Sequence, residues 1–119
     1  MLISGSDPVA ATLHSALDGL AYRQRVAADD IANIDTPGFT GHKVDFEDSL
    51  RTAVQDGSVT DGGVTPSVTL DQRQAGADGN NVDLANETVT AMRTTFAYQL
   101  LSRADGDHYG LITTAIGGV

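Results

Sequence analysis

Ala10, Leu13, Leu17, Leu20, Gln24, Ala27, Ile31 and Ile34 follow one another in alternating steps of three and four. Only a helix gathers such positions on one face, and the average step of about 3.5 is that of a coiled-coil seam. Asp7 and Pro8 start it, as an N-cap and a first-turn proline. The pattern predicts a helix over 7–35, with Arg23, Arg25, Asp29 and Asp30 off the stripe, in solvent or at a rim. At ~1.5 Å per residue it would be about 40 Å long. A compact domain of this size is only about 30 Å across, so its own chain is not expected to cover the whole helix.

The rhythm stops at Thr36-Pro37-Gly38-Phe39, which fits a type II turn with glycine where φ must be positive. Phe39, Val44 and Phe46 mark an extended arm, and Asp45 is the expected N-cap of a short helix through Phe46, Leu50, Ala53 and Val54 to Gly57. Residues 36–57 thus read as turn, arm and short helix. Residues 58–82, rich in Gly, Asp and Thr, read as a flexible loop. A strand over Val64–Leu70 would carry Pro66 and lacks a visible partner. From the N-cap Asp83, Val89, Met92, Phe96, Leu100, Leu111 and Ala115 share a face of a second long helix over 83–116. Gly106 and Gly110 cost roughly 1 kcal/mol each against Ala, so a break is expected near 105–110. The fold expected is mainly all-α: one domain over 1–119, with two long helices packed as an antiparallel coiled-coil-like hairpin and a short helix and irregular loop between.

Composition sharpens this. The chain has 119 residues, 40% of them hydrophobic and 5% aromatic, with no Trp. So few large apolar groups make a lone copy marginal, with association completing its core. The net charge of −9 disfavours nucleic acid and anionic membrane as partners. With no cysteine, disulfides and thiolate metal sites are excluded. The first twenty residues lack the basic region and apolar run of a Sec signal, and no window is apolar enough to span a bilayer. The expectation is a soluble chain.

Candidate chemistry is thin. Asp45, Glu47 and Asp48 form a carboxylate cluster best read as favourable charge at a helix start. His14, His42 and His108 share no ligand spacing, Ser15 and Ser49 lack an activating elbow, and Asp78–Asp83 lacks the spacing of a calcium loop. No catalytic residue, cofactor or metal is expected.

Residues 28–47, ADDIANIDTPGFTGHKVDFE, resemble the N-terminal signature of bacterial flagellar axial proteins. Ala32, Asn33, Thr36, Pro37, Gly38 and Phe39 match it, while Asp29 and Asp30 replace its usual Asn pair. Val44-Asp45-Phe46-Glu47, the Gly79–Asp83 run, Glu87 and Tyr98 are similar to the proximal members of the basal-body rod family. The resemblance implies a structural subunit needed for motility. It implies passage through the flagellar type III export apparatus and assembly in a periplasmic tube whose inner layer is made of terminal helices. The implied partners are other rod proteins, the rod-base and MS-ring junction, the export apparatus and further copies, with no nucleic acid and no membrane insertion. The implied assembly seam is Leu13, Leu17, Leu20, Ala27, Ile31, Ile34, Val89, Met92, Phe96, Leu100 and Leu111. The signature turn is Asn33, Thr36, Pro37, Gly38 and Phe39, and the docking arm is Val44, Phe46 and Leu50, set against neighbouring helices or a neighbouring subunit. Competing readings are another rod subunit, a small cell-wall hydrolase using the Asp45 cluster, and a soluble helical adaptor.

Overall fold

In the computed structural model, which describes residues 7–117, the chain is mainly helical. Its order is α1 (Pro8–Ala32), β1 (His42–Asp45), α2 (Glu47–Asp56), a single 3₁₀ turn (Ser58–Thr60), β2 (Ser67–Leu70) and α3 (Leu84–Gly117). The expectation about a signal segment rests partly on residues 1–6, which lie outside the described residues. Helices α1 and α3 pack against each other along an elongated body of 66 × 26 × 15 Å. Helix α1 begins where Asp7 accepts the N–H groups of Val9 and Ala10, at 3.0 and 3.3 Å. It ends at Asn33, whose side chain donates back to the Asp29 carbonyl at 2.9 Å.

Three expectations are corrected here. The segment 58–82 is not a featureless loop. Val59, 2% exposed, plugs into the body, and β2 pairs antiparallel with β1, His42 opposite Leu70 and Asp45 opposite Ser67. The strand's missing partner is the arm itself. Helix α3 runs unbroken through Gly106 and Gly110. There the side chains between them and before them bind α1: His14 Nε2 lies 3.2 Å from Asp105, and His108 Nε2 lies 2.8 Å from Asp7. These anchors outweigh the small helical cost of the two glycines. The cap of helix α2, finally, falls one residue later than the expected Asp45, and the helix starts at Glu47. Phe46 occupies the cap position with no capping side chain of its own, because its ring is committed to the core, and Glu47 Oε1 takes the Phe46 N–H at 3.3 Å.

The core is small: Leu20, Val44 and Phe46 are buried, with Ala16, Tyr22, Val26, Leu50, Ala97 and Leu101 partly covered around them. The docking arm therefore packs on its own α1. Its central contact is Phe46 lying flat on Gly19, where any Cβ would sit 2.6 Å from the ring. The absence of a side chain at residue 19 is what admits the ring. Gly19→Ala should destabilise the chain by about 1–2 kcal/mol in urea denaturation, since overpacking exceeds the helix-propensity gain. In a Phe46→Ala background the same change should be neutral or stabilising.

Candidate functional site

Two consecutive amides hold the end of α1 to the start of α3. Asn80 Nδ2 lies 2.9, 3.0 and 2.8 Å from the carbonyls of Asn33, Ile34 and Thr36, while its Oδ1 accepts the Val82 N–H at 2.8 Å. Asn81 Oδ1 accepts the Gly41 N–H at 2.7 Å, and its Nδ2 donates to the carbonyls of Asp71 and Arg73, both at 3.1 Å. Only an amide offers donors and an acceptor from one short side chain. The signature turn closes through Phe39 N–H to Thr36 O at 3.2 Å, with Gly38 at φ +77°. Gly38 N–H donates to Asp78 O at 2.9 Å, and a Cβ on Gly79 would meet the Gly38 Cα at 3.3 Å. The turn is therefore one half of a knot whose other half is Asp78–Asn81.

Next to the knot lie charges that sequence reading assigned to solvent or a rim. Asp30 is fully buried. One of its oxygens accepts the His42 N–H at 2.7 Å and the other lies 2.9 Å from His42 Nδ1, so the strand end supplies what the buried carboxylate needs. Arg23 fastens the arm: it forks onto Glu47 at 2.7 and 2.8 Å, donates to Val44 O at 2.8 Å, and lies 4.8 Å over the Phe46 ring. The Arg23 hydrogen bond holds the Glu47 carboxyl below its ordinary range. Glu87 on α3 is 5% exposed. Burial, then the nearby Asp30 charge, pushes its carboxyl above the ordinary value against the pull of Arg73.

A cleft of about 640 Å³ opens between β1 and α3 with Glu87, Arg73 and Asp71 in its wall. The carboxylate cluster of Asp45, Glu47 and Asp48 is divided, Glu47 held by Arg23 and Asp48 by Arg51 at 2.8 Å. Among the described residues no group of three His, Asp or Glu side chains is placed to hold a metal.

The predicted seam splits in two. On α1, Leu20 and Ala27 are buried and Leu13, Leu17 and Ile31 are half-buried, as is Ile34 just past its end, so the chain covers most of that stripe itself. On α3, Met92, Phe96, Leu100 and Leu111 are 67%, 68%, 58% and 71% exposed, and Val89 is also exposed. Helix α3 turns a different face to α1, built from Glu87, Thr94, Ala97, Leu101, Asp105 and His108. Apart from Leu101, small and polar residues make up this inner face of α3, while Met92, Phe96, Leu100 and Leu111 face outward.

No protein-family model matches the chain. The flagellar basal body rod protein FlgB of Borrelia hermsii is 32% identical over 123 aligned positions, spanning 87% of this chain and 91% of that protein. This chain belongs to the FlgB family of flagellar basal body rod proteins. FlgB of Bacillus subtilis is 30% identical over 89% of this chain and 92% of its own length. FlgB of Salmonella typhimurium is 32% identical over 71% and 75%.

In this FlgB-family chain the knot, the Arg23 clamp and buried Asp30 hold the arm to the helices, and the α3 stripe is what they leave free. Sequence reading missed Asn80, Asn81, Asp30 and Glu87 as working residues. The signal for the first two was the Gly-Asn-Asn run, too polar for a packed segment and too short for a loop of its own.

A carboxyl whose folded-state proton affinity is raised favours the folded chain below its unfolded value, near 4.5 for Glu, and that contribution is lost as pH rises through the folded-state value. Glu87→Gln should therefore raise the melting temperature of the dilute monomer at pH 7, and the gain should shrink towards pH 4.

Proposed function

We propose that this chain is a structural subunit of the proximal rod of the bacterial flagellar basal body, working by assembly and without catalysis. It reaches the periplasm through the flagellar type III apparatus and joins further copies, other rod proteins and the rod-base junction through its terminal helices. The observation that carries this reading is the outward stripe of α3. Met92, Phe96, Leu100 and Leu111 are each more than half exposed on one face of a chain with few large apolar residues to spare. Stripes of this kind mark surfaces that a partner covers.

Three further facts support it. Among the described residues no helix is long and apolar enough to cross a membrane. A net charge of −9 turns away anionic lipid and nucleic acid. The stripe lies on a face different from the closed α1–α3 seam, and contacts between unlike surfaces need not close, so they build open helical assemblies. The knot and the arm serve this by fixing how α1 leaves the hairpin, which keeps the free face straight and continuous.

Phe96→Asp should leave the monomer's circular dichroism and melting temperature nearly unchanged, because the side chain is already in solvent. It should abolish association in sedimentation and swimming in a complemented strain, while the variant is still secreted. A swimming strain carrying Phe96→Asp would overturn the reading. Gly38→Val should likewise impair assembly more than secretion, since a β-branched residue disfavours positive φ.

A further inference from the structure

The two-stranded sheet has one edge closed and one open. Asp71 N–H donates at 2.8 Å to the carbonyl of Gly41, which stands directly opposite it when the register is continued by one residue. That bond fixes the phase of the antiparallel ladder, since backbone groups along a strand point alternately to one side and the other. Ser67 and Thr69 therefore turn their N–H and carbonyl groups towards β1, and Val68 and Leu70 turn theirs away from it. On β1, by the same alternation, the backbone groups of His42 and Val44 face away from β2.

Helix α1 closes the far edge of β1. Asp30 takes the His42 N–H at 2.7 Å, and Arg23 donates to the Val44 carbonyl at 2.8 Å. The far edge of β2 has no such cover. Gln72 Nε2 reaches the Leu70 carbonyl at 3.3 Å, while the Val68 N–H, the Val68 carbonyl and the Leu70 N–H have no partner among the described residues. Val68 and Leu70 also share a face of the sheet with buried Val44, yet they are 39% and 57% exposed. An open edge with exposed apolar side chains is a template for another strand unless it is guarded. Here the guards stand only at the ends. Pro66, the preceding residue of the outward-facing series, has no N–H, and Gln72 is the following one.

We propose that the β2 edge pairs with the β2 edge of a second copy, antiparallel about a two-fold axis at Thr69, so that a four-stranded sheet runs through a closed dimer. The open edge is complementary to itself. With the axis at Thr69, Val68 meets Leu70 of the second copy and Leu70 meets its Val68, and each such pair exchanges both backbone bonds. The exposed Gln72 amide, held at a long 3.3 Å, yields to a backbone donor. The same register sets each exposed valine against an exposed leucine, a favourable cross-strand pair. Charge permits the approach, because residues 62–70 carry no charged side chain in a chain of net charge −9. Pairing of β2 with β1 of another copy is barred, since Asp30 and Arg23 hold that edge. The contact is far smaller than the roughly 1,200 Å² of a stable interface, so the dimer is weak and forms above the micromolar range. It closes at two copies and does not involve the α3 stripe, whose contacts stay open.

The chain has no cysteine, so a single introduced one reports the contact. In this register Thr69 faces Thr69 of the second copy as a pair without mutual backbone bonds, with Cα atoms about 4.5 Å apart. That separation is within the span of a disulfide. Ser67 is exposed as well, but its two copies would stand at least about 13 Å apart along the strands. Thr69→Cys and Ser67→Cys are each placed in a full chain carrying Phe96→Asp, which removes the α3 contact, and disulfide dimer is followed under mild oxidation at high concentration. Thr69→Cys should cross-link about tenfold faster than Ser67→Cys or more. Adding Leu70→Lys, the kind of charge that guards natural edges, should erase the difference and leave the melting temperature of the monomer nearly unchanged. Equal rates for the two cysteines overturn the pairing, and so does an advantage of Thr69→Cys that survives Leu70→Lys. An advantage that vanishes in the Phe96→Asp chain and appears only with Phe96 intact assigns the contact to assembly through α3 and overturns it too.

Discussion

The arrangement depends on two side-chain amides. Asn80 and Asn81 between them satisfy carbonyls at Asn33, Ile34, Thr36, Asp71 and Arg73 and the N–H groups of Gly41 and Val82. These groups belong to the end of α1, the arm, the segment after β2 and the approach to α3. The carbonyls of Asn33 and Thr36 also accept backbone N–H groups from Thr36 and Phe39, but the others would lose the partner the amides give them. With three buried residues at the centre of its apolar cluster, the chain cannot specify its shape by packing alone. A fully satisfied polar network does that job instead, because only one arrangement meets all its bonds.

That division of labour explains what could be read in the sequence. Helix α1 was legible because its stripe is covered by its own chain, so apolar periodicity and burial coincide. The turn at Thr36–Phe39 was legible because proline and glycine impose their own geometry. Helix α3 was legible as a helix, but its inner face was not. The rule that large apolar residues point inward picks out Val89, Met92, Phe96 and Leu100, whereas the hairpin closes on Thr94, Ala97 and Leu101. Periodicity reports which residues lie together on a face. It does not report whether that face meets the same chain.

Asp30 and β2 escaped for another reason. A carboxylate on a helix reads as solvent-facing unless donors are known to converge on it, and the His42 backbone and ring come from twelve residues further on. Strand β2 has only exposed positions and gains its identity from β1, which reads in the sequence as an extended arm docking on helices or a neighbouring subunit and not as a strand. Glu87 was noticed only as part of a family pattern. Its burial comes from the approach of α1 and the Arg73 segment, neither of which lies near it in sequence.

An acid-rich chain with an uncovered apolar stripe carries opposing tendencies. The excess of negative charge keeps copies apart at distances where the stripe exerts no pull, because hydrophobic attraction acts only at contact while charge acts over a Debye length of about 8–10 Å. Association then requires either screening or a local reversal of sign at the contact itself. A stripe that were purely apolar would accept many registers, since burial is indifferent to a shift along the axis. The stripe of α3 is not purely apolar: Arg103 and Asp107 fall within it by helical angle, and fixed charges of both signs make registers along the axis unequal. The knot at the far end of α1 has the same character. In both places polar geometry selects among the arrangements that apolar contact alone would leave equivalent.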